Sequence, residues 1–176
     1  MSRAVHMAAS IALSYPTATR LQPFQGLFPR LETYLEGTPL PALEARYVET
    51  FDLRKRCCLY LTYYTHGDTR RRGLALLKFR QAYQRAGLAL TDEELPDHLA
   101  VVLEFSAAGH SREATDLMLA HRAGLDLLWH ALDELGSPYA EAVAAVRATL
   151  PPPGPADAAL AVTLAQDGPP TELVGI

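Results

Sequence analysis

The stretch LRKRCCLYLTYY, Leu53 to Tyr64, sets the first expectation for the fold. After a basic start, Arg54-Lys55-Arg56, nearly every position is apolar or aromatic: Cys57, Cys58, Leu59, Tyr60, Leu61, Tyr63 and Tyr64. A segment with no polar face belongs inside a protein. Apolar spacing in the flanking sequence is helical, so this segment is expected as the central helix of a bundle.

Outward from that segment, Pro39 and Pro41 suit the opening turn of a helix carrying Leu43, Tyr47 and Phe51. A first helix is expected over Arg3–Ser14 and a short one over Arg30–Leu35, stopped by Gly37. Between them, Pro23, Gly26 and Pro29 predict an irregular connection. On the other side, His66-Gly67-Asp68 predicts a turn. Asp68 or Thr69 is expected to cap a helix reaching Ala86, with Leu76, Phe79 and Tyr83 on one stripe. Thr91-x-x-Glu94 has the form of a capping box ahead of a helix from Leu95-Pro96 to about Ala107. After Ser111, one helix is expected with Leu117, His121, Leu125, Leu128, Leu132 and Leu135 as its seam. Gly136-Ser137-Pro138 then stops it and starts a last helix, ending near Leu150. No stretch alternates in the manner of a strand. The expected fold class is all-α: a single-domain helical bundle over residues 1–150, with a Pro-rich flexible tail over 151–176 opened by Pro151-Pro152-Pro153.

The chain has 176 residues, 49% hydrophobic and 20% charged, enough for one real core. It holds no apolar run long enough for a membrane span, and Ala4–Thr19 is too interrupted by Ser10, Ser14 and Pro16 for a signal peptide. The expected location is the cytoplasm. Its two cysteines are adjacent, which suits free thiols used as small packing residues.

Charge is divided along the chain. Residues 1–90 hold 13 Lys/Arg against 6 Asp/Glu, whereas residues 91–176 hold 3 against 14. The basic runs Arg54-Lys55-Arg56 and Arg70-Arg71-Arg72 have no interleaved aromatics for base stacking, so no nucleic-acid partner is expected. Phosphate-binding glycine loops and the nucleophile elbow are absent from the sequence, and its histidines lack metal-ligand spacing. No catalytic residue, metal ligand or cofactor is therefore expected.

One cluster stands apart. Asp92, Glu93, Glu94, Asp97 and Glu104 occur with no Lys or Arg among them, and His98 lies inside the run. An acidic helix start favoured by the helix dipole accounts for it in the plainest way. The sharper reading is a rim that accepts a cationic ligand, with Asp97 and Glu104 seven residues apart on one helix face with Val101.

Several motifs occur in a fixed order: Tyr47-Val48-x-x-Phe51-Asp52, Leu59-Tyr60-Leu61, His66-Gly67-Asp68-Thr69-Arg70-x-Arg72-Gly73, Tyr83-x-x-Ala86-Gly87, Glu94-Leu95-Pro96-Asp97-His98-Leu99 and Leu103-Glu104-Phe105. The set resembles the NarJ-type chaperones that assemble respiratory nitrate reductase, within the wider group of redox-enzyme maturation chaperones. The resemblance covers about residues 8–107. It implies an all-helical protein, not an enzyme, that binds the N-terminal peptide of the nitrate reductase catalytic (alpha) subunit. The apo-enzyme is thereby kept competent for molybdenum cofactor insertion, and the chaperone is no part of the mature enzyme. In such chaperones the P-D-H region lines the peptide groove, which implies Glu94, Pro96, Asp97 and His98 here. Ala100 stands where the family often has proline. Glu104 is expected to extend the rim, and Tyr60, Tyr64, Leu99 and Leu103 are expected as apolar anchors for an amphipathic, basic helix. A helical regulatory or nucleic-acid-binding protein, or a chaperone for another molybdoenzyme, is the alternative.

Overall fold

The computed structural model describes residues 2–19 and 24–172. Ten α-helices are present among them: α1 Ser2–Ala12, α2 Pro29–Glu36, α3 Leu40–Tyr47, α4 Leu61–His66, α5 Arg71–Arg85, α6 Leu99–Ala107, α7 Ser111–Ala120, α8 Arg122–Glu134, α9 Ala140–Ala148 and α10 Pro155–Asp167. The all-α expectation holds: the described residues form no strand, only one isolated antiparallel bridge between Tyr60 and His98. The break expected at Pro23 lies outside the described residues, as do the last four residues of the expected tail.

The central helix is α6. Seven of its nine residues are buried: Leu99, Ala100, Val102, Leu103, Phe105, Ser106 and Ala107. α1 lies along it, and the small residues Ala8, Ala9 and Ala12 let the two backbones approach. Polar groups at this contact are paired as burial requires. Ser10 donates to the Ala100 carbonyl at 2.7 Å, and the His6 ring lies between the hydroxyls of Ser106 (2.7 Å) and Thr149 (2.8 Å). α8 contributes Leu125, Leu128 and Leu132 to the same core, and α9 contributes Val143 and Val146.

Leu53–Tyr64 is not one helix, and this is the main correction. α3 runs into a π-helical turn over Val48–Asp52, a 3-10 turn follows at Lys55–Cys57, Cys58–Tyr60 is extended, and α4 begins at Leu61. Apolar density does not report conformation, and an extended segment whose half-buried positions are also apolar or aromatic reads like a core helix. The helix expected from Leu95 begins only at Leu99, with His98 and not Thr91 as its cap. The expected seam after Ser111 is broken at His121, so that α7 and α8 are separate helices. This break seats buried Arg122, whose guanidinium donates to Asp126 at 3.1 Å and to the Pro151 carbonyl at 2.7 Å. Neither Asp68 nor Thr69 caps α5; the Thr69 hydroxyl donates to the His66 carbonyl instead. Residues 155–167, expected inside a flexible tail, form α10, which packs on α8 without burying any of its residues. Both cysteines are free thiols, as expected, and burial pushes Cys58 up to about 11.

Candidate functional site

The two long motifs meet. Leu99 N–H donates to the Leu59 carbonyl at 2.8 Å and Leu61 N–H to the Asp97 carbonyl at 3.2 Å, tying the extended Cys58–Tyr60 segment to the loop before α6. Asp97 is fully buried there. Its Oδ2 accepts from the Thr62 N–H at 3.0 Å and the Thr62 hydroxyl at 2.6 Å, pairing a buried N–H at the start of α4 from across the fold. Arg72 closes the assembly. Its Nε donates to the Thr62 hydroxyl at 3.1 Å, one terminal nitrogen donates to Asp68 at 3.2 Å, and the other lies 3.9 Å from Asp97 Oδ2. The Pro96 carbonyl accepts from the buried Tyr83 hydroxyl at 2.6 Å. His66–Gly73 and Glu94–Leu99 are thus two halves of one clasp.

His98 begins α6. Its Nδ1 accepts from the Ala100 N–H at 3.1 Å, a bond that proline at position 100 would remove. An accepting Nδ1 leaves the ring proton on Nε2, which faces Glu94 Oε2 at 3.8 Å. Burial lowers the His98 pKa, while Glu94, Asp97 and Asp52 pull it the other way.

Above the clasp lies a hollow of about 520 Å³. Tyr15, Tyr47, Phe51 and Tyr60 give it aromatic walls. Tyr47 stacks edge-on to Tyr15 (5.6 Å) and tilted on Phe51 (4.8 Å), and its hydroxyl donates to the Leu13 carbonyl at 2.7 Å. The π-turn at Val48–Asp52 turns Phe51 inward and brings Asp52 to the opening. Glu93, Glu94 and Glu104 complete a set of four carboxylates, and no Lys or Arg lines the hollow. The Tyr60 hydroxyl donates to Glu94 Oε1, and burial, then Glu94, raises its pKa. A second hollow of about 710 Å³ lies on the other face of the 87–96 loop, so Glu93 and Glu94 border both.

Of the residues expected at the site, Tyr60, Glu94, His98 and Glu104 line the hollow. Asp97, Leu99 and Leu103 are buried in the core and line none of the hollows, whereas Pro96 borders the second hollow and Tyr64 another, beside Leu127 and His130. Asp97 precedes α6 and does not share a helix face with Glu104, so it offers no rim charge. Tyr64 is a pillar: its hydroxyl donates to the Cys58 carbonyl at 2.8 Å, and its ring lies against Gly124, where a Cβ would come within 2.9 Å. Sequence reasoning counted Glu93 in the acidic cluster without carrying it into the groove, and it did not assign Tyr15, Tyr47, Phe51 or Asp52 to the site. Tyr47, Phe51 and Asp52 stood within a quoted motif, but helical spacing placed two of them in a core stripe. Among the described residues no group of three or more His, Cys, Asp or Glu is placed to hold a metal, and no helix is long and apolar enough to cross a membrane.

A family model described as nitrate reductase delta subunit matches residues 20–145. The chain belongs to that family. It is 40% identical over 154 residues to the nitrate reductase-like protein NarX of Mycobacterium tuberculosis, covering 81% of this chain and 24% of that protein. It is 36% identical over 115 residues to the nitrate reductase molybdenum cofactor assembly chaperone NarJ of Escherichia coli, covering 65% of this chain and 48% of NarJ. The chain therefore spans about a quarter of the one relative and about half of the other. Its fold is that of a protein assigned to redox enzyme maturation in Archaeoglobus fulgidus, with TM-score 0.64 and 24% identity over 84% of this chain and 92% of that one.

Proposed function

We propose that this chain is a cytoplasmic assembly chaperone whose groove takes the basic N-terminal peptide of the nitrate reductase alpha subunit. Holding that peptide keeps the apo-enzyme competent for molybdenum cofactor insertion, and the chaperone then departs. The work is binding, with no turnover of its own. One observation carries this reading: aromatic walls and four carboxylates surround a hollow that no Lys or Arg lines. Carboxylates gathered without counter-charge attract a cationic ligand and speed its encounter. Ring faces accept both the apolar side of an amphipathic helix and its cations. The name of the Escherichia coli relative supports the choice of client.

Calorimetry with a synthetic N-terminal peptide of the alpha subunit tests it. Saturable binding that weakens with salt is expected, together with loss of affinity when the peptide's Lys and Arg are replaced by Gln. Equal affinity for the neutral peptide, or no binding of either, would overturn the reading.

A further inference from the structure

The exposed face of α5 carries an unpartnered basic surface on a different part of the chain from the groove. From Thr69 to Thr91 there are six Lys/Arg and no Asp or Glu. Arg72 is used in the clasp. Arg71, Lys78, Arg80 and Arg85 are exposed, and none forms an ion pair among the described residues. Arg71, Lys78 and Arg85 repeat every seven residues, which puts them in one row about 10 Å apart along the helix. Beside that row stand Leu74, 70% exposed, and Leu77, 46% exposed. The opposite face, Ala75, Phe79, Ala82 and Tyr83, is buried, so the exposed side is fixed in place.

This arrangement runs against local electrostatics. Arginines crowd the positive end of the helix dipole, and the first turn has no acidic residue. Arg72 is compensated by the clasp, whereas Arg71 forms no ion pair among the described residues, and a local rule broken without gain to the fold points to use elsewhere.

We propose that the α5 face docks this protein, reversibly, on an anionic phospholipid surface. A row of cations flanking protruding leucines is the pattern of a helix lying in a membrane interface, its leucines among the acyl chains and its cations at the headgroups. Leu74 and Leu77 protrude and line none of the hollows. Knobs without holes suit a deformable lipid surface better than a partner helix, which needs holes to fill. Asp68 and Glu172 lie at the start of α5 and Asp92 beyond its end, leaving the row itself free of carboxylates.

Co-sedimentation with phosphatidylcholine vesicles, with and without phosphatidylserine, tests the proposal on the full chain. Binding is expected only with phosphatidylserine, and salt should weaken it. Each cation contributes about fivefold in affinity, so R71Q/K78Q/R85Q should bind about a hundredfold more weakly. L74S/L77S should also weaken binding while leaving its salt dependence intact. All five positions are exposed, so both variants should keep the parent's thermal midpoint and its groove affinity. No binding to anionic vesicles, equal binding to neutral ones, or undiminished binding by the triple variant would overturn the proposal. So would tighter retention on DNA or on an acidic polypeptide than on the vesicles, since the face would then serve another class of partner.

Discussion

Beneath the groove, Asp97 is enclosed and its charge is committed to Thr62 and Arg72. At the groove itself, Asp52, Glu93, Glu94 and Glu104 line an opening that no Lys or Arg lines. Asp97 and Glu94 are three residues apart in one motif, yet one holds the fold and the other is free to meet a ligand. Side-chain chemistry is the same in both places. Burial and partners decide the role, and replacing each carboxylate separates the two layers.

The largest effect is expected beneath. Removing one partner from a buried charged cluster leaves the other uncompensated, at a cost of about 3–5 kcal/mol. D97A should lose that much in chemical denaturation, because Thr62 loses its acceptor and Arg72 a nearby counter-charge. D97N, which keeps an acceptor oxygen, should lose less. A D97A protein as stable as the parent, but deficient in peptide binding, would move Asp97 from the clasp to the ligand.

Acid should loosen the lower layer next. His121 is buried beside Phe79 and His66, and desolvation lowers its pKa to about 4. An unfolded histidine titrates near ~6.5. The folded value is the lower one, so unfolding takes up a proton. His121's contribution is fully present above about pH 6.5 and is lost as pH falls toward about 4, amounting to about 3 kcal/mol. His6 and His98 are lowered as well, chiefly by burial, and act in the same direction. The stability–pH slope in that window should flatten in H121Q. An unchanged slope would show that other groups carry the acid response.

G124A probes the contact under the groove. Its new Cβ would stand 2.9 Å from the Tyr64 ring, closer than packing allows. Tyr64 is held at both its ring and its hydroxyl, so relief by rotation is restricted. Overpacking of this kind costs about 1–3 kcal/mol. A neutral thermal shift would show that α8 can move away freely.

The helical class was legible because apolar residues in α1, α5, α8 and α9 recur at the period of a helix with one buried face. The conformation of residues 53–64 was not, because the half-buried positions Cys58, Tyr60 and Tyr63 are as apolar or aromatic as their buried neighbours, so no polar face separates a period of 2 from one of 3.6. Asp97 looked like a rim charge because acidic residues surround it in sequence. Its acceptor role depends on Thr62, thirty-five residues away, and no local pattern encodes that pairing. The groove's aromatic walls were hidden for a related reason. Tyr47 and Phe51 have core spacing, and only the π-turn at Val48–Asp52 turns that end of the stripe toward an opening.

The smallest expected effect bears most directly on function. E94Q keeps an oxygen to accept from the Tyr60 hydroxyl, so the groove should hold its shape and the thermal midpoint should stay put. What it removes is one exposed carboxylate, a partner worth about 1 kcal/mol to a cationic peptide at the rim. Affinity should fall about fivefold at low salt, and the difference from the parent should close as salt is added. E104Q removes a second groove carboxylate and should behave the same way without touching Tyr60. H98Q separates charge from titration. Burial lowers His98, so the parent's affinity should be flat from neutrality to about pH 6.5. Below that, protonation would place a cation among the groove carboxylates and expel a basic peptide, whereas H98Q should keep only the weaker dependence of the carboxylates themselves. If E94Q and E104Q both bind the peptide as the parent does at every salt concentration, the groove carboxylates are bystanders and the peptide binds elsewhere.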